Sequence, residues 1–114
     1  MSYDVFIKSP NGECQFFCNI TWNLREALDV LFNALDPQDA DPVRWTALLA
    51  SDKVDNTITT SDCVALHMKL ANMRVWRNDL LPKNRWGDFN NLQTFINQMM
   101  TVCLDHGYCT LEVH

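Results

Sequence analysis

No apolar run in the 114 residues approaches the roughly 20 needed to cross a bilayer, and Met1-Ser2-Tyr3-Asp4 lacks the basic start of a secretory signal. A cytoplasmic, reducing setting is therefore expected. The cysteines agree with it. Cys14, Cys18, Cys63, Cys103 and Cys109 are odd in number and scattered, which fits free buried thiols better than a disulfide framework. The match of Asn19-Ile20-Thr21 to a glycosylation sequon carries no weight without export. Catalytic signatures are missing as well. The chain has only three histidines, with no glycine-rich phosphate loop, no G-x-S-x-G elbow and no carboxylate pair forced together by spacing. Repeats, low-complexity tracts and linkers are absent too.

What is present is the composition of an ordinary globular domain. Apolar residues make up 47% and charged residues 20%, which argues against disorder, and the length suits one core, so residues 1–114 are expected to form a single domain. The net charge is −5, and its distribution says more than its sum. Between Glu26 and Asp62, eight acids face Arg44 and Lys53 for a local net of −6; between Lys69 and Trp86, five bases face Asp79 alone for a local net of +4.

Tyr3, Val5 and Ile7 alternate with Asp4, Phe6 and Lys8, Ser9-Pro10-Asn11-Gly12 carries turn chemistry, and Cys14 to Ile20 resumes a β-rich run, so a hairpin is expected. Asn23 and Glu26 form a capping-box pattern ahead of Leu24, Ala27, Leu28, Leu31 and Leu35, which recur at helical spacing. Two prolines, Pro37 and Pro42, break that helix, and Asp41 or Pro42 opens a short second one through Leu49. A loop is expected from Asp52 to Thr60, then a third helix capped by Thr60 or Ser61 and reaching about Arg77. Leu80-Leu81-Pro82-Lys83-Asn84 ends that region. Asp88 caps a last helix whose apolar stripe is Phe89, Leu92, Phe95, Ile96, Met99, Val102 and Cys103; Gly107 ends it, and Tyr108 to Val113 alternates like a strand. The expectation is an α+β fold: an N-terminal β-hairpin plus a C-terminal strand in a three-stranded antiparallel sheet, with three to four helices packed on one face.

Two surfaces invite a partner. Most of the third helix is apolar, with Val64, Met68, Ala71 and Val75 on one side and Cys63, Leu66, Leu70 and Met73 on another, leaving Ala65, Lys69, Asn72 and Trp76 as its solvated stripe. Trp76 beside bases resembles the Trp and Arg anchors of protein interfaces, so Lys69, Arg74, Trp76, Arg77, Lys83, Arg85 and Trp86 are the candidate partner-binding set. The alternative is that Trp76 packs under the following loop and the bases are a solvated surface. The same segment could contact phosphates and stack bases, but the acidic chain and the lack of an aromatic platform disfavour nucleic acid. The last helix has no charged residue from Phe89 to Leu104. An uncharged polar face is cheaper to desolvate, so Asn90, Gln93, Asn97, Gln98 and Thr101 form a candidate face for a second copy or a partner, against an ordinary polar surface.

Metal-ligand residue types occur in two places, Cys63 with His67 and Cys103 with His106 and Cys109, neither with the paired short spacings of a zinc site. Cys14 and Cys18 would face the same way on a strand but lie roughly 13 Å apart, too far to share an ion. No metal and no cofactor are expected. Cys63, His67 and Asp62 could compose a thiol and base, but a histidine on a mostly apolar helix is more often a core residue, and no catalytic residue is expected.

Two stretches carry a family likeness: Asn19-Ile20-Thr21-Trp22-Asn23 leading into Leu24-Arg25-Glu26-Ala27-Leu28, and Trp86-Gly87-Asp88 leading into a helix and a Leu111-Glu112-Val113 strand. They resemble an uncharacterised group of small phage and bacterial proteins in which N-I-T-Y-N-like and N-G-W-G-like segments each open a helix. The likeness covers the two ends of the chain, about half of it. Trp22 stands where that group has Tyr, and Asn84-Arg85 replaces the Asn-Gly before Trp-Gly. The resemblance implies a phage or mobile-element context, with the host cytoplasm as the place of action. Residue chemistry gives a second account of these motifs: Asn19 and Thr21 satisfy backbone groups between strand and helix, and Trp86-Gly87-Asp88 buries an indole while opening a helix. The leading expectation is a noncatalytic protein-binding module that modulates or inhibits a host protein, such as a defence component, with a host or phage protein, acidic in character, as partner. A small-molecule or nucleotide binder or minor hydrolase, gripping an anion with Arg74, Arg77 and Lys83, is the second class. A self-associating module, a homodimer through the last helix, is the third.

Overall fold

The computed structural model describes residues 2–21, 24–32, 57–76 and 89–114. The alternating N-terminal residues form β1 (Ser2–Lys8) and β2 (Cys14–Thr21), paired antiparallel with Tyr3 opposite Ile20 and Val5 opposite Cys18. The turn between them uses the expected residues. Gly12 takes a φ of +87° and donates its N–H to the Ser9 carbonyl at 2.9 Å, a conformation glycine adopts without steric penalty. Helix α1 (Arg25–Phe32) buries Leu24 before it and Ala27, Leu28 and Leu31 within it, as their spacing predicts, together with Phe32, which stood outside that pattern. Its cap at Asn23, its end at Leu35 and the short helix through Leu49 lie outside the described residues.

The sheet has one strand more than the sequence suggests. Thr57–Thr59, expected as loop, is β3, and it pairs antiparallel with β4 (Tyr108–Val113), Ile58 opposite Cys109. The four strands lie in the order β2-β1-β4-β3, all antiparallel, with Val5 opposite Val113 and Ile7 opposite Leu111 in the central pair. Three residues are too short to show a period, and β3 owes its state to its neighbour rather than to its own pattern.

Among the described residues, helix α2 (Thr60–Trp76) and helix α3 (Phe89–His106) join α1 in an α+β fold, three helices packed against the four-stranded sheet. The helices meet the face carrying Tyr3, Val5, Ile7, Ile20, Leu111 and Val113, all buried. Leu92, Phe95, Ile96, Met99, Val102 and Cys103 of α3 face them, and the Phe95 ring lies 6.4 Å from that of Phe32. Gly107 ends α3 with a φ of +91° and donates its N–H to the Cys103 carbonyl at 2.7 Å, turning the chain into β4.

The opposite sheet face carries no helix among the described residues. Phe6 and Phe17 meet on it with ring centroids 5.1 Å apart and planes tilted by 51°, His114 meets Phe6 edge-on at 5.7 Å, and Lys8 pairs with Glu112, which also bonds His114 at 2.9 Å. Asn19 donates across the strands to Ser2 Oγ at 2.8 Å and Asp4 Oδ1 at 2.9 Å, so its side chain ties β2 to β1 instead of satisfying backbone at the helix junction. A bulge corrects the cysteine geometry. Ile7 is opposite Phe16 but Lys8 is opposite Cys14, so Gln15 is the extra residue. Paired residues share a face, and Cys14 therefore lies with Lys8 on the open side while Cys18 lies with Val5 on the helix side.

Candidate functional site

Helix α2 starts on a reciprocal cap. The Thr59 N–H donates to Asp62 Oδ2 at 2.9 Å and the Asp62 N–H donates to Thr59 Oγ1 at 3.2 Å, so the cap is Thr59, one residue before the position expected. From that start, the helix turns Cys63, Leu66, Leu70 and Met73 into the core. The second apolar set points the other way. Val64, Met68 and Val75 are 46%, 65% and 70% exposed, with Ala71 exposed between them. Ala65, expected in solvent, packs against the core instead, and Lys69 is half-buried. The outermost face of α2 is thus apolar, where a solvated helix normally carries charge.

The two candidate surfaces meet at one corner. The Arg74 guanidinium lies over the Phe89 ring, its Cζ 4.7 Å from the ring centroid, which fastens the end of α2 to the start of α3. Arg74 is exposed, Phe89 is half-buried against the core, and Asn90 beside it is exposed. Trp76 is the last residue of α2, while Arg77, Lys83, Arg85 and Trp86 lie outside the described residues. Along α3, Asn90, Gln93, Asn97 and Thr101 form one exposed row at spacings of three and four. The Thr101 hydroxyl donates to the Asn97 carbonyl at 3.0 Å, which uses its one proton and leaves its oxygen able to accept. Gln98 stands apart from the row: it is half-buried, and its Oε1 is buried with no hydrogen-bond partner.

At the other end of the same helix pair three thiols converge, and no sequence spacing places Cys63 with the other two. Cys63 of α2, Cys103 of α3 and Cys109 of β4 are all buried, Cys63 and Cys103 with their sulfurs 3.9 Å apart, and the Cys103 thiol donates to the Ile58 carbonyl at 3.3 Å. Burial, reinforced by the neighbouring Cys103, holds the Cys63 and Cys109 thiols far above the ordinary range, so both stay protonated at neutral pH. Such thiols are packing groups rather than nucleophiles. His67 is half-buried on α2 and His106 exposed at the end of α3, and among the described residues no group of three His, Cys, Asp or Glu is arranged to hold a metal ion.

No protein family, curated protein or solved structure matches the chain. The residues themselves must carry the functional reading. Among the described residues, no helix is long and apolar enough to cross a membrane.

Proposed function

We propose that the protein is a noncatalytic protein-binding module, and that the corner where Arg74 lies on Phe89 is its docking surface for a foreign partner. The supporting observation is that cation–π contact, 4.7 Å from guanidinium carbon to ring centroid at an exposed position. A guanidinium held against an aromatic ring has lost part of its side-chain freedom before a partner arrives, which suits it to anchor a carboxylate. The uncharged row beginning at Asn90 adds polar area that is cheap to desolvate. An acidic protein surface fits this combination. In the phage or mobile-element context that the N- and C-terminal motifs resemble, the partner is a host protein that the module modulates or inhibits.

Nucleic acid fits less well. Phe6 and Phe17 form an aromatic pair on the open sheet face, but the lysine beside them, Lys8, is paired with Glu112, and Asp4 lies on the same face. The test is a pull-down from host lysate with tagged wild-type protein and Arg74→Glu, read by mass spectrometry, with circular dichroism to show that both are folded. A partner retained by the wild type and lost by the variant is the expected result. Equal retention by both, or capture of nothing by either, overturns the proposal.

A further inference from the structure

The two edges of the sheet are unlike. Strand β3 is three residues long, whereas β2 offers eight, Cys14–Thr21, with no charge and no proline among them, and no strand lies beyond it among the described residues. The bulge at Gln15 disturbs only its start. Asp4 exchanges both main-chain hydrogen bonds with His114, at 3.0 and 2.9 Å, so its peptide groups point to β4. Those groups alternate along a strand, and Tyr3, Val5 and Ile7 therefore point to β2, where Ile20, Cys18 and Phe16 meet them. The N–H and C=O of Phe17 and Asn19, both exposed residues, are left pointing outward. Such a row of open donors and acceptors is specific for one kind of occupant, an extended strand.

The side chains of β2 suit a second β2. On the helix side Phe16 and Cys18 pack against the core but are only half-buried, beside buried Ile20; Phe17 and Asn19 lie on the open side. Antiparallel two-fold pairing keeps the helix sides of both copies together, so apolar meets apolar, whereas a parallel two-fold sets the helix side of one against the open side of the other. With the axis at Cys18, Phe17 pairs with Asn19 of the second copy and Asn19 with its Phe17, each pair exchanging both main-chain bonds. Phe16 then lies opposite Ile20, and Cys18 opposite Cys18. An axis at Phe17 brings the bulge into the ladder, and one at Asn19 leaves Phe16 with no residue of β2 opposite. Charge does not oppose the contact. Asp4, one strand inside, lies three strand spacings, roughly 14 Å, from its counterpart, beyond the screening length at physiological salt.

We infer that β2 is a self-association edge: two copies of this chain pair antiparallel about Cys18 and join their sheets into one, with both helix layers on the same side. Sedimentation of the wild type over roughly 10–500 µM, the range in which small interfaces associate, is expected to show the mass rising toward twice the monomer. Phe17→Pro removes an N–H that points outward from the edge, so circular dichroism is expected to show it folded while its association weakens at least tenfold. Phe17→Ala, which loses the same ring but keeps the N–H, is expected to associate more strongly than the proline variant. Amide exchange followed by nuclear magnetic resonance reads the pairing without any substitution. The Phe17 and Asn19 amides are expected to exchange fast in dilute protein and at least tenfold more slowly at the concentrated end. A wild type that stays monomeric, a dimer indifferent to Phe17→Pro, or a dimer in which these two amides keep their dilute exchange rate overturns the inference.

Discussion

Which of the two apolar stripes of α2 faces the core decides most of what the protein presents to others, and one pair of substitutions settles it. Leu70 is 1% exposed and belongs to the inner stripe; Met68, two residues away, is 65% exposed. Leu70→Ala removes three buried carbons and leaves a cavity that the surrounding Leu66, Met73 and α3 side chains cannot fill completely, a change that costs about 2–5 kcal/mol. Met68→Ala removes atoms that already touch water, and alanine is the better helix former, so its cost stays within about 0.5 kcal/mol of zero. In urea, with a slope of roughly 1–3 kcal/mol/M, the Leu70 variant moves the midpoint down by about 1–2 M while the Met68 variant moves it hardly at all. The thermal midpoints separate by roughly 10–20 °C for a domain of this size. Far-ultraviolet circular dichroism reads both. Equal losses for the two variants, or a larger loss at Met68, would mean that α2 is rotated and that the outward stripe does not exist.

Three further outcomes follow from local geometry. Gly107→Ala forces a β-carbon onto a residue at φ +91° and should destabilise by about 1–2 kcal/mol, with Gly107→Asn less harmful, as thermal melts would show; a neutral alanine variant would contradict the backbone described. Glu112 has its pKa lowered, first by its hydrogen bond to Lys8 and then by that to His114, so its folded value lies below the ordinary 4.5. Its stabilising contribution is therefore complete above pH 4.5 and fades as the pH falls through the folded value; a carboxyl titration followed by nuclear magnetic resonance should move upward in Lys8→Met, and an unmoved titration refutes the pairing. Thiol reagents under native conditions should label exposed Cys14 first and Cys18 far more slowly, since burial pushes its pKa up to about 12, and should spare Cys63, Cys103 and Cys109 until the protein unfolds. Rapid native labelling of Cys63 would refute the buried cluster.

How much of this was legible in the sequence depends on the range over which each feature is decided. The hairpin could be read because alternation surrounds a Ser-Pro-Asn-Gly turn, and α3 because seven apolar residues repeat at helical spacing up to a glycine. Strand β3 could not, since Thr57–Thr59 is a strand only by virtue of Thr110, Cys109 and Tyr108, about fifty residues later. The bulge at Gln15 was equally hidden, and it reversed the relation of Cys14 to Cys18. Helix α2 shows a different limit. Both of its stripes satisfy the spacing of a core face, so periodicity alone could not say which one the sheet would take. The contact of Arg74 with Phe89, which joins the two surfaces read separately from composition, exists because α2 and α3 run antiparallel, with Cys63 beside Cys103 at the other end.

The strand order has a kinetic consequence. Strand β4, residues 108–113, sits between β1 and β3, and its pairing with β1 joins positions more than a hundred residues apart, Val5 with Val113. The hairpin and the helices can form while they are being made, but β3 lacks β4 and one side of β1 stays bare until residues 108–113 are in place. Closing so long a loop is entropically expensive and tends to make folding slow. Every newly made copy therefore passes through a state in which the inner edge of β1 is open, and in that interval the protein depends on rapid delivery of β4 to escape strand exchange with its neighbours.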